Sequence, residues 1–151
     1  MPYRTHRPAA AAAALLTVVG LTAALPSDAA PRKPKPIKGT YDVTLPPDPT
    51  ANVGTEGCAG VIPVSEDRHP FTVPAKGMLR VQLVSPDPSG QAFDWDLAVL
   101  DEGGATIGLS AGATAAEEVL LRFKRKEKVL LQACNLAGLP QATVSYTFTY
   151  S

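Results

Sequence analysis

Alternation of polar and apolar residues is the feature that most constrains this fold. Toward the C-terminus, Val144, Tyr146, Phe148 and Tyr150 alternate with Thr and Ser residues. A period of two sends successive side chains to opposite faces of a β-strand, so one face can be buried while the other stays polar. The same pattern predicts about eight strands, over 40–45, 70–74, 78–84, 94–101, 105–110, 118–124, 128–134 and 143–150.

Turn-forming residues separate these stretches. Pro46 and Pro47 end the first stretch, and Gly103-Gly104 forms a hairpin turn because glycine tolerates a positive φ. Short strands at regular spacing, joined by such turns, are typical of an all-β antiparallel sandwich or jelly roll, which is the fold class we predict. Trp95 lies on the apolar side of its strand, so we expect it in the core.

The first 29 residues have the features of a signal peptide. Arg4 and Arg7 precede an apolar run, and Ser27-Asp28-Ala29 offers the small residues that a signal peptidase accepts. We place cleavage after Ala29, with Ala30 as the alternative. The apolar run is short for a membrane-spanning helix, and no later run is long enough. We therefore predict a secreted, extracellular protein without a membrane anchor after cleavage.

The segment that follows, residues 30–38, is rich in Pro and Lys and should be an extended, disordered arm. The predicted organisation is then a signal peptide over 1–29, this arm, and one β-sandwich domain over 39–151. Across the chain, 14 basic and 14 acidic residues cancel to a net charge of 0. No global field therefore directs the protein to nucleic acid, which we do not expect as a partner.

The chain has two cysteines, Cys58 and Cys134. In an exported chain an even pair indicates one disulfide, and these two residues are too far apart in sequence for a redox pair of the C-x-x-C type. A bond that closes so long a loop stabilises a protein by about 4 kcal/mol. We predict a structural disulfide that staples the two sheets together.

The stretch from Phe71 to the C-terminus resembles the bacterial pre-peptidase C-terminal domain family. The resemblance depends on the order of five features, which are the opening strand and turn 71–77, the second strand 79–83, the Asp-apolar-Asp-Leu strand 94–100, the hairpin return 104–110 and the acidic pair Glu117-Glu118 before the next strand. It implies a β-sandwich of the kind attached to secreted proteases and other exported enzymes. For some relatives it also implies binding of calcium or extracellular matrix.

A calcium site is one candidate. Asp94 and Asp96 share a strand face about 7 Å apart, Asp101 and Glu102 lie at the far end of that strand, and Asp87 is in the preceding loop. Carboxylate oxygens are the ligands that Ca²⁺ prefers. The alternative is a solvated strand face whose acidic residues limit edge pairing. Our expectation for cofactors is accordingly none, or Ca²⁺.

A basic hairpin is the second candidate. Five cations cluster at one predicted turn, namely Arg122, Lys124, Arg125, Lys126 and Lys128. Such a cluster can bind an anionic polymer, for example of a cell wall. The alternative is a face that only provides solubility, since Glu127 interrupts the run.

The predicted mature chain has few residues that could act as a catalytic nucleophile or base. His69 is its one histidine, no G-x-S-x-G motif is present, and both cysteines are assigned to the disulfide. A carboxylate pair such as Asp94 and Asp96 leaves a small hydrolase as a remote alternative. We predict no enzyme activity. The function we expect is a secreted binding or accessory module whose partner is an extracellular polymer or protein, and the alternative is a calcium-binding structural module.

Overall fold

The computed structural model describes residues 32–51, 57–86 and 93–151. The predicted signal peptide and Asp87 lie outside these ranges. Residues Lys33–Ser151 form one compact unit, in which β1 already begins at Ile37 and so includes the end of the predicted arm.

Eight strands account for most of the described chain. Their bounds are β1 Ile37–Thr44, β2 Glu66–Val73, β3 Gly77–Val84, β4 Asp94–Asp101, β5 Thr106–Ser110, β6 Ala116–Phe123, β7 Glu127–Ala137 and β8 Gln141–Tyr150. The number of strands predicted from alternation is confirmed. The helical content of the described residues is one 3-10 turn, Pro63–Ser65, and these residues contain no helix that is long and apolar enough to cross a membrane.

The strands form two four-stranded antiparallel sheets, as a β-sandwich requires. The first sheet has the order β1-β8-β3-β6 and the second has the order β2-β7-β4-β5. Consecutive strands β2 and β3 lie in different sheets, as do β5 and β6, so the chain passes repeatedly from one sheet to the other. The predicted all-β class and sandwich architecture are confirmed.

The main core lies between the sheets and is filled by the apolar set of each alternating strand. Leu79, Val81 and Leu83 of β3 and Val144 and Phe148 of β8 are fully buried. On β4, Trp95 is fully buried as predicted, and its indole N–H donates to the carbonyl oxygen of Leu139 over 3.3 Å.

A second apolar cluster covers the outer face of the second sheet. The loop between β1 and β2 packs on it through Cys58, and the cluster includes Ala98, Leu100 and Leu136. Asp48 organises this loop by accepting hydrogen bonds from the N–H groups of Thr50 (2.8 Å) and Ile62 (2.9 Å). Both faces of β4 are therefore covered.

The disulfide between Cys58 and Cys134 is confirmed, with a Cα–Cα distance of 5.7 Å and a sequence separation of 76. Its position differs from the prediction. Cys134 is on β7 of the second sheet and Cys58 is in the loop over the outer face of that same sheet. The bond thus fastens the covering loop and does not join the two sheets.

Candidate functional site

The basic residues predicted to cluster lie at and beside the turn between β6 and β7, at one end of the sandwich. The prediction of a hairpin is wrong, because β6 belongs to the first sheet and β7 to the second, so this turn carries the chain from one sheet to the other. Lys128 forms an ion pair with Glu102 over 2.9 Å. The other ion pairs among the described residues are Arg68–Glu66 and Arg80–Glu118. Within the described part of the chain, the remaining four hairpin cations therefore have no carboxylate partner at ion-pair distance.

Three of those four cations line one groove of about 460 Å³. Arg122, Lys124 and Arg125 contribute positive charge to it, and Glu127 contributes one negative charge. Its apolar lining comes from Ile107 of β5 and from Leu121 and Phe123 of β6. We call this set of seven residues the hairpin groove, after the hairpin that the sequence predicted at this turn. The groove combines a net positive lining with an apolar side. Its positive charge suits an anionic ligand.

A β-bulge places Ile107 at the hairpin groove. Val99 pairs with Gly108 while Leu100 pairs with Thr106, so Ile107 is an extra residue on the bulged strand. Bulges commonly re-aim a side chain next to a site. Gly108 allows β5 to lie close to β6, because a Cβ there would approach the Val119 side chain to 2.7 Å.

Lys126, the remaining basic residue of the predicted cluster, lies in a different environment. Lys126 lines a separate depression of about 420 Å³ together with Asp101, Glu102 and Glu127. Arg125 and Lys128 also border this depression. The predicted patch of five is thus divided. One part is a groove whose cations outnumber its carboxylates, and the other is a mixed surface on which acidic and basic side chains balance.

The structure buries both aspartates of the predicted calcium site. Asp94 is 1% exposed and Asp96 is 0% exposed. The expectation of a solvated strand face is wrong, because the loops at this end of the second sheet cover that face. Asp101 is at the opposite end of β4, where its Oδ1 accepts a hydrogen bond from the N–H of Ala105 over 2.8 Å. It therefore lies apart from the buried Asp94 and Asp96.

Asp96 is in an unusual state for a carboxylate. Neither of its oxygens has a hydrogen-bond partner with good geometry. Burial is the largest cause that raises its pKa, to about 7, and the charges of Asp94 and Glu117 raise it further, while the N–H groups of Gly57 and Gly112 act in the opposite direction. The neutral, protonated form of Asp96 is therefore populated near neutral pH.

Glu117, whose charge also acts on Asp96, is a residue that the sequence did not identify as part of a site. It is 8% exposed, and it accepts hydrogen bonds from the hydroxyl groups of Ser110 and of Thr114, the latter over 2.6 Å. Glu117 lies two residues before the inward-facing Val119 on β6. The period of two could therefore have shown that the Glu117 side chain also points inward. Among the described residues, no three His, Cys, Asp or Glu side chains are arranged to hold a metal ion.

His69 lies on β2, which begins at Glu66 and so starts four residues before the predicted strand 70–74. Its ring stacks on that of Tyr41 with centroids 4.1 Å apart and planes inclined by 18°. The ring centroid of Tyr146 lies 6.4 Å from that of His69, with the planes inclined by 34°. These rings pack β1, β2 and β8 together, so His69 contributes to the packing of the sandwich.

A third depression, of about 560 Å³, crosses the outer face of the second sheet. It lies between Leu109 of the edge strand β5 and the covering loop near Cys58, with Ala98 and Leu100 below. Glu66 and Arg68 at its border are paired with each other. Its lining is therefore close to neutral, unlike that of the hairpin groove.

Comparison with known proteins adds no family. No family model matches the chain, and no curated protein matches it. Among solved structures, the chain is similar to that of the infectious bursal disease virus VP2 subviral particle, with 13% identity and a TM-score of 0.34. The alignment covers 84% of this chain but only 37% of that one, and a likeness at this TM-score carries no functional argument. The resemblance to the pre-peptidase C-terminal domain family stays a prediction.

Proposed function

We propose that this protein is an exported, non-enzymatic binding module that attaches to an anionic polymer at the cell surface or in the extracellular matrix. The observation that carries the proposal is the hairpin groove, which Arg122, Lys124 and Arg125 line without a carboxylate partner at ion-pair distance among the described residues. A convergent set of cations attracts repeating phosphate, sulfate or carboxylate groups and releases their counterions on binding.

The local charge distribution supports this function despite the neutral composition. Two carboxylates outside the groove are already paired, Glu118 with Arg80 (2.6 Å) and Glu102 with Lys128 (2.9 Å). Within the hairpin groove, three cations face the single carboxylate of Glu127, so its lining keeps a net positive charge. Because an exposed field of this kind is screened within about 8 Å at physiological ionic strength, binding should weaken as salt is added.

The surroundings of the residues that could act as nucleophile or base support a non-enzymatic role. His69 is held in a ring stack with Tyr41, and Cys58 and Cys134 are joined to each other. The raised pKa of Asp96 belongs to a fully buried side chain. Export, the other part of the proposal, is supported by the sequence of residues 1–29 and by the disulfide, since such bonds persist in oxidising compartments.

Retention on immobilised polyphosphate tests the proposal. Substituting the three groove cations (R122Q/K124Q/R125Q) should lower the slope of log affinity against log salt by about 1 per cation. The matched control, R68Q/R80Q/K128Q, removes the same charge from cations that are ion-paired. Equal loss in the two triple variants would show that net charge alone is responsible and would refute a role for the groove.

A calcium-dependent structural module is the second candidate. The observation that favours it is the Asp96 carboxylate, whose two buried oxygens have no partner of good geometry, beside the negative charges of Asp94 and Glu117. A cation there would take its remaining ligands from backbone oxygens or water. A rise in melting temperature with millimolar CaCl₂ at pH 8, absent in D96N, supports this candidate, and no rise contradicts it.

A further inference from the structure

The hairpin groove has an apolar side that binding of a bare polyanion does not use. Ile107 is 38% exposed, and its neighbours in the groove lining are Leu121 and Phe123. Exposed apolar area next to convergent charge is unfavourable in water unless a ligand covers it. The apolar side and the cationic side belong to one depression and are open at the same time.

We propose that the hairpin groove recognises an anionic amphiphile, in which a phosphate, sulfate or carboxylate group carries a short alkyl or acyl chain. The anionic group binds at Arg122, Lys124 and Arg125, and the chain lies on Ile107 and Leu121. This inference rests on the proposed function, because it assigns the chemistry of the unit that the groove selects on a polymer or a lipid.

Charge and size both restrict the occupant. Three cations against the single carboxylate of Glu127 exclude a cationic ligand and disfavour a neutral one. The volume of about 460 Å³ falls within the range of about 300–1,000 Å³ that is common for small-molecule sites. A short chain with one anionic group fits this space, whereas a folded protein domain does not enter it.

The strand geometry explains why the apolar side is available. Without the bulge, Ile107 would alternate regularly with Gly108 and Leu109 and lie on the outer face of β5. Leu109 does line the outer depression near Cys58, whereas Ile107 lines the hairpin groove. The extra residue in β5 thus moves one apolar side chain toward the cations of β6 and of the turn that follows it.

The test compares three soluble probes by chemical-shift titration of the full predicted mature chain, each below its micelle concentration. Octyl phosphate has both chemistries, inorganic phosphate has only the anion, and octyl glucoside has only the chain. Octyl phosphate should bind at least about tenfold more tightly than either other probe, the effect of burying about two methylene groups. It should also shift the methyl signals of Ile107 and Leu121, a readout that needs no variant.

Two single variants separate the apolar side from general hydrophobicity. I107Q should remove most of the advantage of octyl phosphate over inorganic phosphate. The control is L120Q, because Leu120 is 57% exposed on the same strand as Leu121 but does not line the groove. It should leave all three affinities unchanged.

The outcomes distinguish the two proposals. Equal affinity for octyl phosphate and inorganic phosphate, with polyphosphate still retained, overturns this inference and leaves the proposed function standing. Binding of octyl glucoside as tight as that of octyl phosphate also overturns it, because the anion then contributes nothing. If polyphosphate is not retained but octyl phosphate binds with the predicted preference, the polymer function is wrong and the recognition of an amphiphile is supported.

Discussion

Cys58 and Cys134 lie 5.7 Å apart at their Cα atoms and fasten a loop to the outer face of the second sheet. The loop begins after β1 of the first sheet and ends before β2 of the second. The loop therefore connects the two sheets along the chain, but its disulfide attaches it to the second sheet only. The bond holds Cys58 over Ala98 and Leu100, which would otherwise face water.

Removal of the disulfide should loosen this loop before it separates the sheets. The double variant C58A/C134A should lose about 2–5 kcal/mol in free energy of unfolding, because its unfolded chain is no longer constrained. Urea unfolding measures that loss. Hydrogen exchange should become faster at Val61 and Ile62 than at Leu79 and Val81 of the inner core. Equally fast exchange at all four residues would mean that the bond stabilises the whole sandwich uniformly.

The stability of the protein should depend on the protonation of Asp96. Because its pKa is raised from 3.8 to about 7 on folding, the protonated form stabilises the folded state. That contribution is fully present below pH 4 and is lost as pH rises through 7, and it amounts to about 2–4 kcal/mol.

Thermal unfolding between pH 5 and pH 8.5 measures this dependence. D96N, which is neutral at every pH, should be less dependent on pH and more stable than the wild-type protein at pH 8.5. D42N is the control, since Asp42 is an exposed carboxylate that accepts a hydrogen bond from Thr143. A wild-type protein that is equally stable at both pH values would contradict the raised pKa of the buried Asp96 carboxylate.

Gly77 should tolerate no side chain. A Cβ at this position would lie 2.4 Å from the carbonyl oxygen of Thr149 and 2.3 Å from the ring of Phe148. Since neither the strand backbone nor a fully buried ring can move freely, G77A should cost about 1–3 kcal/mol. G112A is the matched control, because only the Glu117 carboxylate comes near its Cβ, at 3.9 Å. Equal stabilities of the two variants in urea unfolding would contradict this packing.

The strands were predictable because alternation reveals the apolar residues of each inner strand that face the core between the sheets. β2 shows where this fails. Residues 66–69 are charged or polar, since β2 is an edge strand, and the sequence predicted a strand only over 70–74. Edge strands bury less apolar area, so their alternation is weak.

The candidate sites were predictable only in part. Alternation predicts that Asp94 and Asp96 face solvent, because a period of two places the polar residues of a strand on its exposed face. The loops that cover this face bury them, and their position depends on the tertiary fold. The basic hairpin was visible as a run of charges. The bulge that brings Ile107 to it depends on the pairing of β4 with β5, which no local pattern encodes.

The most direct test of the account is a titration of the isotope-labelled predicted mature chain with short-chain polyphosphate, followed by amide chemical shifts. The account predicts that the largest shifts fall at Arg122, Lys124 and Arg125, and that added salt reduces them together. Shifts centred on the paired cations Arg68 and Arg80, or an absence of shifts at low salt, would contradict the claim that the hairpin groove is the binding site.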